Sequence, residues 1–195
     1  SVRYLNLAFN NISSVPAELF HHLRSLANLF LNNNQLTRVN ATLLHGLDNL
    51  RVLALQGNTL TTLNDQFFKG LSKVVSIGLS ENPLMSLSSS IFHDLVNLNL
   101  LFMSDCQITD IDVDILKDNI KLTHITLNEN RLTKIPNIKH LNQLGLLDIR
   151  GNPLTSVRSE DFSNLTTKIE LLSVSQHEIC SCFVPTGVNC NAEDE

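Results

Sequence analysis

The 195-residue chain has no tryptophan and one tyrosine, which argues against the aromatic platforms on which proteins stack single-stranded nucleic acid. It has no basic run either. Fourteen Lys and Arg stand against 19 Asp and Glu, a net charge of −5, whereas releasing counterions from nucleic acid needs clustered cations. Basic or neutral partners suit this chain, and nucleic acid is not among those expected. Although 43% of the residues are hydrophobic, none of the apolar stretches approaches the roughly 18 residues that span a bilayer. This segment is therefore expected to make no membrane contact of its own. Catalytic signatures are missing as well: there is no GxSxG elbow, HExxH helix or GxxxxGK loop, and apart from His21-His22 the histidines are dispersed. The acidic run Asp110-Ile111-Asp112-Val113-Asp114 has Ile115 where a calcium loop needs Gly and Lys121 where it needs Glu. The expectation is a non-enzymatic protein with neither cofactor nor metal.

What the chain does have is a repeat of the form LxxLxLxxNxL. Its frames are Val2-Leu5-Leu7-Asn10-Ile12, Leu26-Leu29-Leu31-Asn34-Leu36, Leu50-Leu53-Leu55-Asn58-Leu60 and Val74-Ile77-Leu79-Asn82-Leu84. Four more follow: Leu98-Leu101-Met103-Cys106-Ile108, Leu122-Ile125-Leu127-Asn130-Leu132, Leu144-Leu147-Ile149-Asn152-Leu154 and Ile169-Leu172-Val174-His177-Ile179. The step is 24 residues five times, then 22, then 25. Eight copies in near-constant register specify a stacked repeat architecture.

Within each copy the second and third apolar residues alternate with polar ones, the period of a strand buried on one face. Further anchors, such as Leu63, Phe68 and Leu71, recur in the return segments. The fold class expected is α/β: a curved solenoid with a parallel sheet on its concave face and short helical or irregular segments on its convex face. The solenoid spans residues 1–179 in about eight repeats, and 180–195 form an incomplete cysteine-containing hinge or cap. Because Ser1-Val2 already lies inside a repeat, an N-terminal cap is expected to be missing, as in a piece of a longer protein.

Asn10, Asn34, Asn58, Asn82, Asn130 and Asn152, with Cys106 in the same slot, form a structural ladder whose amides satisfy backbone groups where each strand turns. Function belongs to the positions that vary. Phe30, Leu100, Phe102 and Leu146 are expected to face water on the strands as an apolar patch centred on Leu100 and Phe102, joined by His124 and Asp148. Glu81, Asp105 and Glu129 precede the ladder slot in three successive repeats as an acidic stripe. Its bland alternative is a solvated edge.

Cys106 reads as a structural free thiol. Cys180, Cys182 and Cys190 read as disulfide partners in an oxidising compartment, because CxC plus a lone Cys lacks paired CxxC zinc ligands. Asn11, Asn40 and Asn164 head sequons and are glycosylation candidates.

The frame resembles the 24-residue extracellular class of leucine-rich repeats over about residues 1–179. The last strand passes into Ile179-Cys180-Ser181-Cys182-Phe183-Val184-Pro185 and Val188-Asn189-Cys190, which is similar to the hinge of leucine-rich-repeat G-protein-coupled receptors, relaxin-receptor-like ones especially. That resemblance implies a protein or peptide ligand held on the concave strands, and a hinge leading to a seven-helix domain at the extracellular face of the plasma membrane. The acidic pairs by which relaxin receptors hold a basic hormone are not evident at the matching strand positions, where only Asp148 is acidic. A secreted matrix or adhesion scaffold is the alternative.

Overall fold

The computed structural model describes residues 2–155, 159–162, 170–172 and 189–190. Among the described residues nine short strands form one parallel sheet in chain order: β1 (Tyr4–Asn6), β2 (Asn28–Phe30), β3 (Val52–Ala54), β4 (Ser76–Gly78), β5 (Leu100–Phe102), β6 (His124–Thr126), β7 (Leu146–Asp148), β8 (Glu170–Leu172) and β9 (Asn189–Cys190). From β1 to β6 each residue pairs with the one 24 positions on, as in Leu5 with Leu29 and Leu29 with Leu53. Such a sheet is the wall of a solenoid. Its central column, Leu29, Leu53, Ile77, Leu101, Ile125 and Leu147, is shut off from water.

Parallel neighbours require a crossover, and the chain makes it through tight turns. Bonds from Phe67 N to Asn64 O and from Lys69 N to Gln66 O recur at Ile91, His93, Ile115 and Lys117. A short polar side chain starts each turn: Asn40, Asn64 and Asp112 accept from the amides of Thr42, Gln66 and Asp114 at 2.8–2.9 Å. Asp112 thus shapes a turn, and Asp110 pairs with Lys134 at 3.0 Å. Of the helical or irregular return segments expected, the described residues show turns and one 3-10 stretch, Ser159–Phe162. Phe20, Phe68 and Phe92 close the core behind the sheet, with the rings of Phe68 and Phe92 stacked at 6.1 Å. The 22-residue step deletes two residues between convex anchors, so Ile138 fills the slot that Phe92 occupies two repeats earlier.

One frame needs correction. Spacing put Leu172 in the buried column, but β8 pairs Leu171 with Leu147 and Leu172 with Asp148. Adjacent leucines satisfy the apolar pattern in either register, and a one-residue slip exchanges the faces of a strand; backbone pairing with β7 decides. Ile169, Val174, His177, Ile179, Asn164, Cys180 and Cys182 lie outside the described residues.

The asparagine ladder is built as the turn chemistry requires. Asn82 Nδ2 donates to Leu55 O in the preceding repeat and to Leu79 O in its own, and its Oδ1 accepts from Leu60 N, all at 2.9–3.0 Å. Asn34, Asn58, Asn130 and Asn152 repeat this scheme. Asn10, at the solvated first turn, bonds only within its own repeat among the described residues.

Cys106 breaks the scheme on one side. Its thiol approaches Leu79 O at 3.4 Å and so replaces the donor, but a thiol is a weak acceptor. Leu84 N, which an Asn at 106 would bind, turns instead to Asn82 O at 2.7 Å. Met85 and Gln107 have left-handed φ values of 57° and 58°. Leu154 N makes the same short bond, to Asn152 O at 2.8 Å. Burial pushes the Cys106 thiol from 9.0 up to about 11, a backbone hydrogen bond at Asn82 acting against it and the charges of Asp105 and Glu81 acting with it.

Cys106→Asn should therefore stabilise the fold by about 1 kcal/mol, the worth of one restored hydrogen bond, raising Tm by about 2–4 °C in thermal unfolding followed by circular dichroism. An unchanged or lower Tm would refute the assignment. In a Cys180→Ser, Cys182→Ser, Cys190→Ser background, Cys106 should resist Ellman's reagent at pH 8 until the protein unfolds. A folded-state value above the unfolded one also means that this thiol's contribution to stability is complete below pH 9.0 and fades as pH rises towards about 11.

Candidate functional site

On either side of the buried column the strands present two rows of side chains. The first runs Tyr4, Asn28, Val52, Ser76, Leu100, His124, Leu146, and the second runs Asn6, Phe30, Ala54, Gly78, Phe102, Thr126, Asp148. Residues expected far apart are thereby aligned: Leu100, His124 and Leu146 are direct neighbours, and Phe102 shares its strand with Leu100. Phe30 stands apart, three strands from Phe102, with Tyr4 against it at 5.0 Å between ring centroids. His124 is exposed, and its Nδ1 shares a 2.8 Å hydrogen bond with Thr123 Oγ1.

The expectation that Phe30, Leu100, Phe102 and Leu146 face open water is corrected: all four are half-buried. Strands less than 5 Å apart pack each large side chain against the rows beside it. Asp148 is corrected further. It is 5% exposed and held by its own Arg150, with Nη2 to Oδ2 at 2.9 Å and Nε to Oδ1 at 3.1 Å. A carboxylate neutralised in this way is a poor anchor for a cationic ligand.

The acidic stripe occupies a backbone feature that spacing did not reveal. Where each of β1 to β7 ends, the residue before the ladder slot is left-handed: Phe9, Asn33, Gly57, Glu81, Asp105, Glu129 and Gly151 have φ between 51° and 66°. Each of the first six donates its N–H to a carbonyl in the next repeat, as Glu81 does to Ser104 at 2.8 Å. Glu81, Asp105 and Glu129 are exposed, so their charges border the strand face. Glu129 reaches sideways: a Cβ on Gly151 would lie 2.5 Å from its Oε1, and Asn33 covers Gly57 likewise. Two left-handed glycines in this column were the legible clue. Among the described residues no cluster of three His, Cys, Asp or Glu could hold a metal ion.

A second ladder escaped sequence reading because its residues sit outside the apolar frame. Lys73 Nζ donates to Asn49 Oδ1 at 2.7 Å and Lys121 Nζ to Asn97 Oδ1 at 2.5 Å, while Asn49 and Asn97 donate to Arg24 O and Ser72 O. Asn and Lys alternate at the 24-residue step, so the signal was present in the sequence. Asn11 and Asn40 are both exposed, with Asn40 Oδ1 bound to Thr42 N and Oγ1.

The leucine-rich repeat family model matches residues 1–60 and 48–108, more than half of the chain. The chain belongs to the leucine-rich repeat family. Similar solved structures include a leucine-rich-repeat protein of Leptospira interrogans, with 30% identity and a TM-score of 0.75 over 86% of this chain and 42% of that one. TLR13 in complex with ssRNA13 matches at 27% identity and TM-score 0.76, over 88% of this chain and 24% of that chain. A chain of the Drosophila Toll–Spatzle complex matches at 25% and 0.76, over 84% and 23%. The chain thus spans less than half the length of these structural relatives. No curated protein matches it significantly. A leucine-rich repeat solenoid is typically a non-enzymatic interaction scaffold, and the aligned rows of strand side chains are the surface it offers.

Left-handed φ disfavours any residue with a Cβ by roughly 1–2 kcal/mol. Glu81→Gly should therefore stabilise the solenoid by about 1 kcal/mol in urea denaturation. Gly151→Ala should destabilise it by at least as much, because its methyl meets the Glu129 carboxylate. The opposite signs would contradict the turn geometry.

Proposed function

We propose that this chain is the ligand-recognition segment of a receptor ectodomain, binding a protein or peptide through its concave strand face. The observation that carries the reading is the cluster on β5–β7: half-buried Leu100, Phe102 and Leu146 around exposed His124, beside the Asp105–Glu129 margin. Apolar groups bordered by charge form the usual centre and rim of a binding surface. Likeness to a chain of the Toll–Spatzle complex supports a protein ligand. Likeness to TLR13 with ssRNA13 points to RNA, but the strand rows of this chain from Tyr4 to Asp148 contain no Lys or Arg. In the full protein, the segment is placed at the extracellular face of the plasma membrane. There Cys180, Cys182 and Cys190 belong to a disulfide-bonded hinge leading to a seven-helix domain, and Asn11 and Asn40 bear glycans.

Peptides selected by display against the purified chain should lose at least tenfold in affinity, about 1.4 kcal/mol, on Phe102→Glu or Leu100→Glu. Convex Lys69→Glu should leave them unchanged, and single-stranded RNA should not compete. Equal losses on both faces would refute the concave site. Recovery of the full-length protein in carbonate-washed membranes is the expected localisation result, whereas release into the medium would favour a secreted matrix scaffold.

A further inference from the structure

Along the second strand row the side chains run Phe30, Ala54, Gly78, Phe102: large, small, small, large on four neighbouring strands. At a strand spacing near 4.8 Å, the two phenylalanines stand about 14 Å apart. Nothing from Ala54 or Gly78 projects between them. Both are buried, and across the central column their strands carry Val52 and Ser76, half-buried in the first row. Gly78 is not required by its backbone, since its φ lies outside the left-handed region. A glycine within a strand otherwise weakens the strand, and it marks a place where another group approaches the backbone.

Here that group is Gln56. A Cβ on Gly78 would lie 2.5 Å from Gln56 Oε1 and 3.3 Å from its Cδ, so the amide rests on the glycine. Its Oε1 is cut off from water and has no hydrogen-bond partner. A buried acceptor left unpaired is destabilising, so moving this side chain outward breaks no bond at Oε1 and restores its hydration.

We propose that the notch over Ala54 and Gly78 is the anchor pocket of the strand face, taking one phenylalanine- or leucine-sized side chain from a basic peptide segment and displacing Gln56 as it enters. The inference rests on the concave-face reading above and names the chemistry recognised there. The apolar floor and the Phe30 and Phe102 walls select the anchor. Charge selects what surrounds it: the chain carries −5, and exposed Glu81 and Asp105 lie three residues beyond Gly78 and Phe102, about 10 Å along the strand direction. Cations next to the anchor reach both.

The test uses the full chain and a fluorescein-labelled peptide, Lys-Ser-Lys-Phe-Lys-Ser-Lys, read by fluorescence anisotropy at low ionic strength. It should bind at least tenfold more tightly than the peptide with Ala for Phe, or the one with Glu for each Lys. Ala54→Leu and Gly78→Leu, which fill the notch, should each weaken it tenfold or more, while Gln56→Ala should tighten it. Thermal melts identify any variant that fails to fold, and the peptide substitutions test the pocket on the unaltered protein. Equal affinity for the Phe and Ala peptides overturns the anchor. If Phe102→Glu weakens binding while folded Ala54→Leu does not, the notch is overturned and the strand face stands. If neither variant matters, both are overturned.

Discussion

The structure depends on one obligation: where each short strand turns into its return segment, backbone groups are buried beyond the reach of any strand ladder. An asparagine amide answers it by donating to carbonyls of its own and the preceding repeat while accepting an amide from that preceding repeat. The bond partners lie in different repeats, so the same side chain that closes a turn also sets the stacking distance. Apolar burial holds the repeats together, and the amide decides their register. Cys106 makes the dependence visible, because without an amide oxygen in the slot Leu84 N turns to Asn82 O within its own repeat.

That stacking also builds the surface. Since residues 24 apart become neighbours, a side chain's setting comes from the repeats before and after it more than from its own segment. Leu100 and Leu146 become parts of one surface with His124 between them. Close spacing also half-buries what would stand free on an isolated strand. The left-handed column then carries the chain off the sheet and sets Glu81, Asp105 and Glu129 at its margin.

Much of this was legible beforehand. Near-constant spacing of Leu and Asn specified parallel strands, a one-sided core and the ladder, because the same demands recur from repeat to repeat and chance rarely imitates such a register. The candidate site was legible as positions rather than environments. Asp148 looked like an available acid, and only the folded chain brings Arg150 across it in a two-point contact. Gly78 looked like an ordinary variable residue until Gln56 was found resting on it. At β8, Leu171 and Leu172 fitted the pattern equally well, so hydrogen bonding to β7 had to choose.

By itself, then, the sequence determined the repeat, the buried columns and the slots open to variation, since these follow from side-chain period and from the need to satisfy backbone groups locally. Tertiary structure alone decided which open slots are shielded and which side chain covers Gly78. The physical reason is that these properties belong to contacts across the 24-residue step, between side chains of different shape in successive repeats, and periodicity describes only what those repeats share.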